Sequence, residues 1–402
     1  MNRLLGRRTV STPWRTLVPG RSVVFFASHA HGGVREIWTN LAEGFHELGF
    51  KAQLVGLYPL PSIIEPPTNI LGWSYVIPGT PAGISGKFRL VRDLALWMMR
   101  EKPEVIISSM PAANVLVPFF ARIFSPRTRV IISHHSPANV YKPGLNVLDR
   151  FTGSARNVAA VVSVSNSVNA TLDDKPAAYR AKRATIHNAI PPRIEDLLER
   201  LRLEALDRPQ TRKIVVSGRL EWPKNHQMLI RAMALTQDVE ADVLGCGADE
   251  DELRAMIVDL GLTDRMHLLG NRDREDALKL LSMGDVFVQV SLFEGHSLAL
   301  IEAAKLGLPL VVSNVPSQVE AITAKDGTRC GIAVDLDDDA GLARAIVSIL
   351  DDPEQRKLWS ERALKLAREA TFDQLIKQYV ALTTPLIRHA ERPVMPAVES
   401  AG

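Results

Sequence analysis

"DVFVQVSLFEGHSLALIEAAKLGLPLVVSN", residues 285 to 314, reads as a strand, a loop, a helix and a second strand. The run 286–290 has the Val-rich pattern of a buried strand, while Gly307 and Pro309 close the helix that begins near Ser297. A strand joined through a helix to another strand is a parallel βαβ unit, whose sheet is covered on both faces. Two carboxylates interrupt this apolar stretch. Glu294 stands in the loop above the sheet, and Glu302 lies about a turn and a half into the helix. Leu298, Leu300, Ile301, Ala303 and Ala304 surround Glu302, so its helix is expected to be mostly buried, and a buried carboxylate needs hydrogen-bond donors. Ribose or hexose hydroxyls would supply them. The plainer alternative is a surface loop acid and a solvated helix residue.

The same alternation extends outward in both directions. Val- and Ile-rich runs at 22–28, 51–57, 104–109, 129–135 and 159–165 form one series. After a polar, helix-like stretch at 194–210, a second series follows at 213–220, 240–247, 265–270, 285–291, 308–314 and 331–336. Buried strands alternating with helices specify parallel units. The expected fold class is therefore α/β, with two doubly wound Rossmann-like domains facing a central cleft. The expected division is a basic extension at 1–20, an N-terminal domain at 21–195 and a C-terminal domain at 196–370. A helix at 371–390 is expected to pack back toward the N-terminal domain, and the Pro- and Ala-containing tail at 391–402 to be disordered.

A chain of 402 residues exceeds what one core usually serves, and 46% hydrophobic with 23% charged residues is ordinary soluble composition. Cys246 and Cys330 have no zinc-ligand spacing and are expected to be small buried residues in a reducing cytosol. The basic start "MNRLLGRRTVSTPWRTLVPGR" has no apolar core of a signal peptide, so no export is expected. The uncharged run 105–121 contains Pro111, Asn114 and Pro118, and reads as strand plus helix rather than a membrane span of about 20 apolar residues. Charge is unevenly spread. Residues 1–200 hold 24 Lys and Arg against 13 Asp and Glu, and residues 201–402 hold 24 against 32, giving +11 and −8. A basic half can meet anionic lipid, nucleic acid or a phosphorylated acceptor, or can simply be solvated.

Open α/β sheets bind ligands beyond the carboxyl ends of their strands. After the first strand, "SHAHGGVRE" sets Gly32 and Gly33 before a helix, where they either admit an anion or sugar to the helix N-terminus or only make a tight turn. "ISHHSP" follows the fourth strand; adjacent His134 and His135 point opposite ways, so one of them faces the cleft. "SGRLEWPKNH" sets Arg219 and Lys224 beyond the first strand of the second half, a pattern suited to a diphosphate. "GCGADEDE" lacks the third glycine of a dinucleotide fingerprint. Its Asp249-Glu250-Asp251 imitates a metal-binding D-x-D, but acids opening a helix are favoured by its dipole, and that is the preferred reading, as it is for Asp337 and Asp339.

Together these motifs resemble the retaining GT-B glycosyltransferases, in particular family four. The likeness covers nearly the whole chain: "GG" at 32–33, "HH" at 134–135, "VSVSNSV" at 162–168, "IHNAIPP" at 186–192, "SGRLEWPKN" at 217–225, "GCGADEDEL" at 245–253, and E-x7-E from Glu294 to Glu302 followed by "AAKLGLPLVVSNVPSQVE". The resemblance implies that Glu302 holds the ribose hydroxyls of a nucleotide donor and Glu294 the donor sugar, with the backbone of Gly295, His296, Ser297 and Leu298 near the diphosphate. It implies that Arg219 and Lys224 neutralise the leaving diphosphate without a metal or cofactor. Gly270, Asn271 and Arg272 would border the base, His135 would touch the donor sugar, and Gly32 and Gly33 would line the acceptor side and phosphates. Two positions depart from the family: Gly295-His296-Ser297 replaces its commoner Gly-aromatic-Gly, and "NHQ" follows Lys224 in place of a small Gly.

The implied activity is metal-independent retaining hexosyl transfer from a nucleotide diphosphate sugar to a hydroxyl acceptor, a glycan or lipid-linked intermediate of bacterial-type surface polysaccharide synthesis. The alternative from another class is a non-catalytic nucleotide-sugar-binding protein on the same fold; an epimerase or phosphorylase is a weaker third. The expected location is cytoplasmic, with peripheral docking at an anionic inner membrane face and no nucleic-acid partner. Residues 87–102, "KFRLVRDLALWMMREK", form the candidate docking helix, although its apolar positions fit core packing as well.

Overall fold

The structure, a computed structural model, describes residues 22–60, 71–206 and 208–387. The extension expected at 1–20 and the tail at 391–402 lie outside these residues. The first sheet contains β1 (Ser22–Ala27), β2 (Lys51–Gly56), β3 (Trp73–Tyr75), β4 (Val105–Ser109), β5 (Arg129–His134), β6 (Val158–Ser163) and β7 (Arg183–Thr185), in the order β3-β2-β1-β4-β5-β6-β7. The second contains β8 (Lys213–Ser217), β9 (Glu240–Leu244), β10 (Met266–Gly270), β11 (Val286–Gln289), β12 (Leu310–Ser313) and β13 (Ile332–Val334), in the order β10-β9-β8-β11-β12-β13. Pairing is parallel throughout both sheets. β3 and β7 escape the hydrophobic pattern because their three residues, Trp-Ser-Tyr and Arg-Ala-Thr, contain no Val or Ile.

Strand order reverses between β1 and β4 in the first sheet and between β8 and β11 in the second. At such a switch point the connections on either side leave in opposite directions, and a crevice opens over the carboxyl edge. The loops carrying Gly32 and Gly33, Arg219 and Lys224, and Glu294 emerge there. Chain order and strand order together place them.

The helix Pro192–Ala205 joins the two sheets. Its Ile194, Leu198 and Leu201, spaced as one helical face, are buried with Leu278, Leu281, Leu300 and Ala304 of the second domain. The division expected at 195/196 therefore falls inside an element that belongs to the second domain. In the other direction, Phe372–Thr383 leaves the second sheet and buries Phe372, Leu375, Tyr379 and Val380 beside Trp38, Leu41 and Phe45 of the first. Gly44 permits this contact, because a Cβ there would lie 2.4 Å from Ile376 Cδ1.

Cys330 is buried, but Cys246 is exposed, contrary to expectation. The glycines on either side of it are pressed against the neighbouring loop, which turns its side chain outward. Among the described residues no helix is long and apolar enough to cross a membrane.

Candidate active site

The loops after β8 and β9 pack backbone to backbone. A Cβ at Gly245 would stand 1.9 Å from Gly218 O, and one at Gly247 would stand 2.1 Å from Leu220 O. Gly245 also has φ +140°, a region closed to larger residues. The glycines of "GCG" are therefore required by loop packing. Glu250, Asp251 and Glu252 form the first turn of the helix Glu250–Asp259, and Glu250 pairs with Arg254 at 2.7 Å. Asp339 likewise opens the helix Asp339–Asp351 and pairs with Arg231. Among the described residues no three His, Cys, Asp or Glu side chains group as a metal site requires.

Lys224 reaches from the β8 loop to the β11 loop, where its Nζ donates to Glu294 Oε1 at 2.5 Å. Ser291 Oγ donates to the same oxygen at 2.7 Å, and Glu294 N donates to Ser317 Oγ at 3.2 Å. Gly218 makes room for the lysine stem, since a Cβ there would meet Lys224 Cε at 3.3 Å. Arg219 lies half exposed and pairs with Glu221 at 2.6 Å. The two cations expected to face a diphosphate are thus present at one switch point, each held by a carboxylate. Glu221 was not singled out because a lone acid between apolar and turn residues reads as surface.

Glu302 is 3% exposed, which excludes a solvated role. Its donor is a guanidinium from this chain. Arg274, first residue of the helix Arg274–Ser282, gives Glu302 an Nη2 hydrogen bond, and its Nε lies 4.0 Å from Glu36 Oε2 on the helix Gly32–Glu47 of the first domain. Glu302 thus has a donor within the chain, which the reading of its apolar neighbours did not identify. Burial raises the Glu302 pKa, Arg274 opposes that rise, and Glu36 adds to it. Next to Arg274, Gly270 ends β10 with φ +72°, and Asn271 and Arg272 are exposed. Arg274 carried no local motif; only the fold brings it to Glu302.

On the facing wall, Gly32 has φ +55°, and a Cβ at Gly32 or Gly33 would meet open space. His134 turns into the first domain: its Nε2 is 2.7 Å from Tyr179 OH and its Nδ1 2.9 Å from Tyr141 OH. Tyr179 donates its proton to Asp149, so His134 carries its proton on Nε2 and accepts from Tyr141. Asp149 also pairs with Lys175 at 2.7 Å, their side chains 1% and 0% exposed. His135 turns the other way, edge-on to Trp38 with centroids 4.9 Å apart, and its Nε2 is 3.0 Å from Ser133 Oγ. Burial, with His134 beside it, pushes its pKa down to about 3, so the ring is neutral. His29 and His31, whose pKa values are lowered by burial and by Arg219, face the second domain nearby.

The remaining expected site residues lie where the domains touch. Gly295 fits beneath the first domain, since a Cβ there would be 2.1 Å from His135 O. His296 O accepts from Asn188 Nδ2 at 2.8 Å, and its ring lies 5.0 Å from the ring of His187, so this side chain points toward the interdomain contact. Burial pushes the His296 pKa down to about 3. Ser297 caps the helix Leu298–Lys305, accepting from Leu300 N, and donates to Gln289 Oε1 at 2.8 Å. Glu320, which no motif marked, reaches across from the second domain to accept from Asn166 N and Ser167 N at 2.7 Å and from His187 Nε2 at 3.0 Å. Burial acts to raise its pKa, but these bonds hold it at about 2.

Residues 31–193 match the model described as Glycosyltransferase Family 4, and residues 200–366 match Glycosyl transferases group 1. The N-acetylgalactosamine-N,N'-diacetylbacillosaminyl-diphospho-undecaprenol 4-alpha-N-acetylgalactosaminyltransferase of Campylobacter jejuni is 29% identical over 63% of this chain and 72% of its own. The lipopolysaccharide core biosynthesis glycosyltransferase LpsE of Rhizobium meliloti is 27% identical over 69% and 76%. Among solved structures, Anabaena HepE, in complex with UDP and glucose, superposes with a TM-score of 0.73 at 17% identity, covering 91% of this chain and 99% of its own. Sucrose-phosphate synthase from Thermosynechococcus elongatus gives 0.74 at 18%, covering 91% and 99%. The chain therefore carries both halves of a GT-B glycosyltransferase, a Glycosyltransferase Family 4 domain followed by a glycosyl transferases group 1 domain.

Proposed function

We propose that the chain is a metal-independent retaining hexosyltransferase that moves a sugar from a nucleoside diphosphate sugar to a hydroxyl of a glycan or lipid-linked acceptor in surface polysaccharide synthesis. The observation that carries this reading is the meeting of Arg219, Lys224 and Glu294 at the switch point of the second sheet, opposite Gly32, Gly33 and His135. Departure of a diphosphate leaves an oxocarbenium-like sugar, so charge at the leaving group dominates the barrier. A phosphate entering between the cations takes over the positions of Glu221 and Glu294, and Glu294 is then free to accept from sugar hydroxyls. Retention follows when the acceptor attacks from the face the diphosphate leaves, its proton passing to the leaving oxygen.

The acceptor is assigned to an anionic membrane surface. The helix Gly83–Glu101 buries Leu90, Leu94 and Met98, yet Ile84, Phe88, Val91 and Met99, also on one face, are exposed, Ile84 by 88%. Lys87, Arg89, Arg92 and Arg100 lie on the same helix. The apolar positions of the candidate docking helix thus divide between core and surface. Each basic residue near an anionic surface adds about 1 kcal/mol of attraction. The Campylobacter relative, named for a diphospho-undecaprenol substrate, and HepE, solved with UDP-glucose, support the acceptor and donor classes.

Changing Arg219 to Ala is expected to lower turnover about 10²- to 10³-fold with the fold intact. Near-normal transfer by this variant sinks the assignment. Release of nucleoside diphosphate only when acceptor is present separates a transferase from a binding protein, and NMR of the product's anomeric centre tests retention. Wild-type protein is expected to float with phosphatidylglycerol vesicles in a salt-sensitive way, and Phe88→Ser with Ile84→Ser to lose this; no flotation of the wild type removes the membrane assignment.

A further inference from the structure

Arg274 of the second domain faces carboxylates of both domains. It opens its helix, where the dipole disfavours a cation, and its side chain is one-third exposed. Two features hold it there: the hydrogen bond to Glu302 on Leu298–Lys305, and Glu36 across the cleft. The guanidinium is not fully used. Its Nε is buried and makes no hydrogen bond, because Glu36 stands 4.0 Å away. Such an orphaned donor is costly unless something completes it.

We propose that Arg274 is a positioning residue for the donor: its guanidinium fixes the Glu302 carboxylate that takes the ribose hydroxyls of a nucleoside diphosphate, and does so from the side Glu36 closes. This inference rests on the assignment of Glu302 to the ribose. Fixing matters in two ways. A planar guanidinium holds one carboxylate oxygen in a set direction, leaving the other lone pairs aimed at the ligand. It also keeps the carboxylate an acceptor, since burial favours the protonated form and Glu36 repels the charge. The charged groups acting on Glu302 are Arg274 and Glu36. On the other helices packed against it, Glu195 turns to Lys305 at 2.6 Å, and Lys365 turns to Asp326 at 2.5 Å. Removing Arg274 leaves no cation facing Glu302 from these elements.

The test is calorimetric binding of UDP, GDP and ADP, each with its 2′,3′-dideoxy counterpart, to wild type, Arg274→Met and Arg274→Lys between pH 5 and 8. The wild type is expected to bind one ribonucleotide at least tenfold more tightly than its dideoxy form, a hydrogen-bond-sized preference. Arg274→Met is expected to lose about tenfold in affinity for the ribonucleotide only, with the loss growing as pH falls because the unpaired Glu302 takes up a proton. Arg274→Lys keeps the charge without the fork, and is expected to lose a few-fold with the wild-type pH profile; it also serves where Arg274→Met does not fold. A wild type indifferent to the ribose hydroxyls overturns the Glu302 assignment. A discriminating wild type whose preference and pH profile are unchanged in both variants overturns the role of Arg274 alone.

Discussion

Both domains hold lysine–carboxylate pairs, and they do so in opposite styles. In the first, Lys175 directs its amino group to Asn146 O, Asn146 Oδ1 and Asp149 Oδ2, with Asp149 also accepting from Tyr179, and the Lys175 and Asp149 side chains are closed to solvent. In the second, Lys224–Glu294 and Arg219–Glu221 stand at strand ends with part of each pair open to the cleft. A closed pair fixes the packing of the elements around it. An open pair can exchange one partner for substrate, because its desolvation is incomplete and an incoming anion replaces the lost attraction.

The sharpest way to break this contrast is to remove one lysine from each style. Lys175→Met leaves Asp149 buried and uncompensated, and is expected to cost about 3 to 5 kcal/mol, read as a large fall in melting temperature. Lys224→Met is expected to change stability by less than about 1 kcal/mol while transfer nearly vanishes. Equal thermal effects would falsify the distinction between closed and open pairs.

A second comparison sets the two kinds of glycine against each other. Gly295→Ala drives a Cβ to 2.1 Å from His135 O, so the domains must separate locally. A cost of about 1 to 3 kcal/mol and a fall in turnover are expected. Gly33→Ala meets open space and is expected to alter stability by less than about 0.5 kcal/mol. Denaturation curves of the two variants decide it.

A third comparison concerns the interdomain carboxylate. Because the Glu320 pKa is held at about 2, below the free value, its contribution is complete above about pH 4.3 and is lost as pH falls through 2. Glu320 is partly solvent-exposed, so Glu320→Gln is expected to cost only about 1 kcal/mol near pH 7. The gap from wild type should narrow between pH 4.5 and 2.5. A constant gap across that range removes the electrostatic explanation.

Long Val- and Ile-rich strands were legible in the sequence because burial on both faces imposes a continuous apolar run. β3 and β7 were not, since Trp-Ser-Tyr and Arg-Ala-Thr hold no Val or Ile run, whereas the equally short β13 reads Ile-Ala-Val. Glu302 was legible as a buried acid from its apolar neighbours, and Glu294 from its place after a strand. Arg274 and Glu320 were not, because each finds its partner across the fold: Glu302 is 28 positions from Arg274, and Asn166 is 154 from Glu320. Cys246 was misread because its exposure depends on Gly245 and Gly247 packing under another loop.

The sequence by itself determined two parallel α/β domains and the strand ends at which polar residues gather. Local chemistry suffices there, since hydrophobic periodicity and helix-closing residues act over a few positions. Only the tertiary structure decided which charges meet. It paired Lys224 with Glu294 and Arg274 with Glu302, and turned His134 to Tyr141 and Tyr179 while His135 met Trp38 and Ser133. Electrostatic and hydrogen-bond partners are chosen by distance in space, and the order of residues along the chain carries that distance only after the sheets have formed.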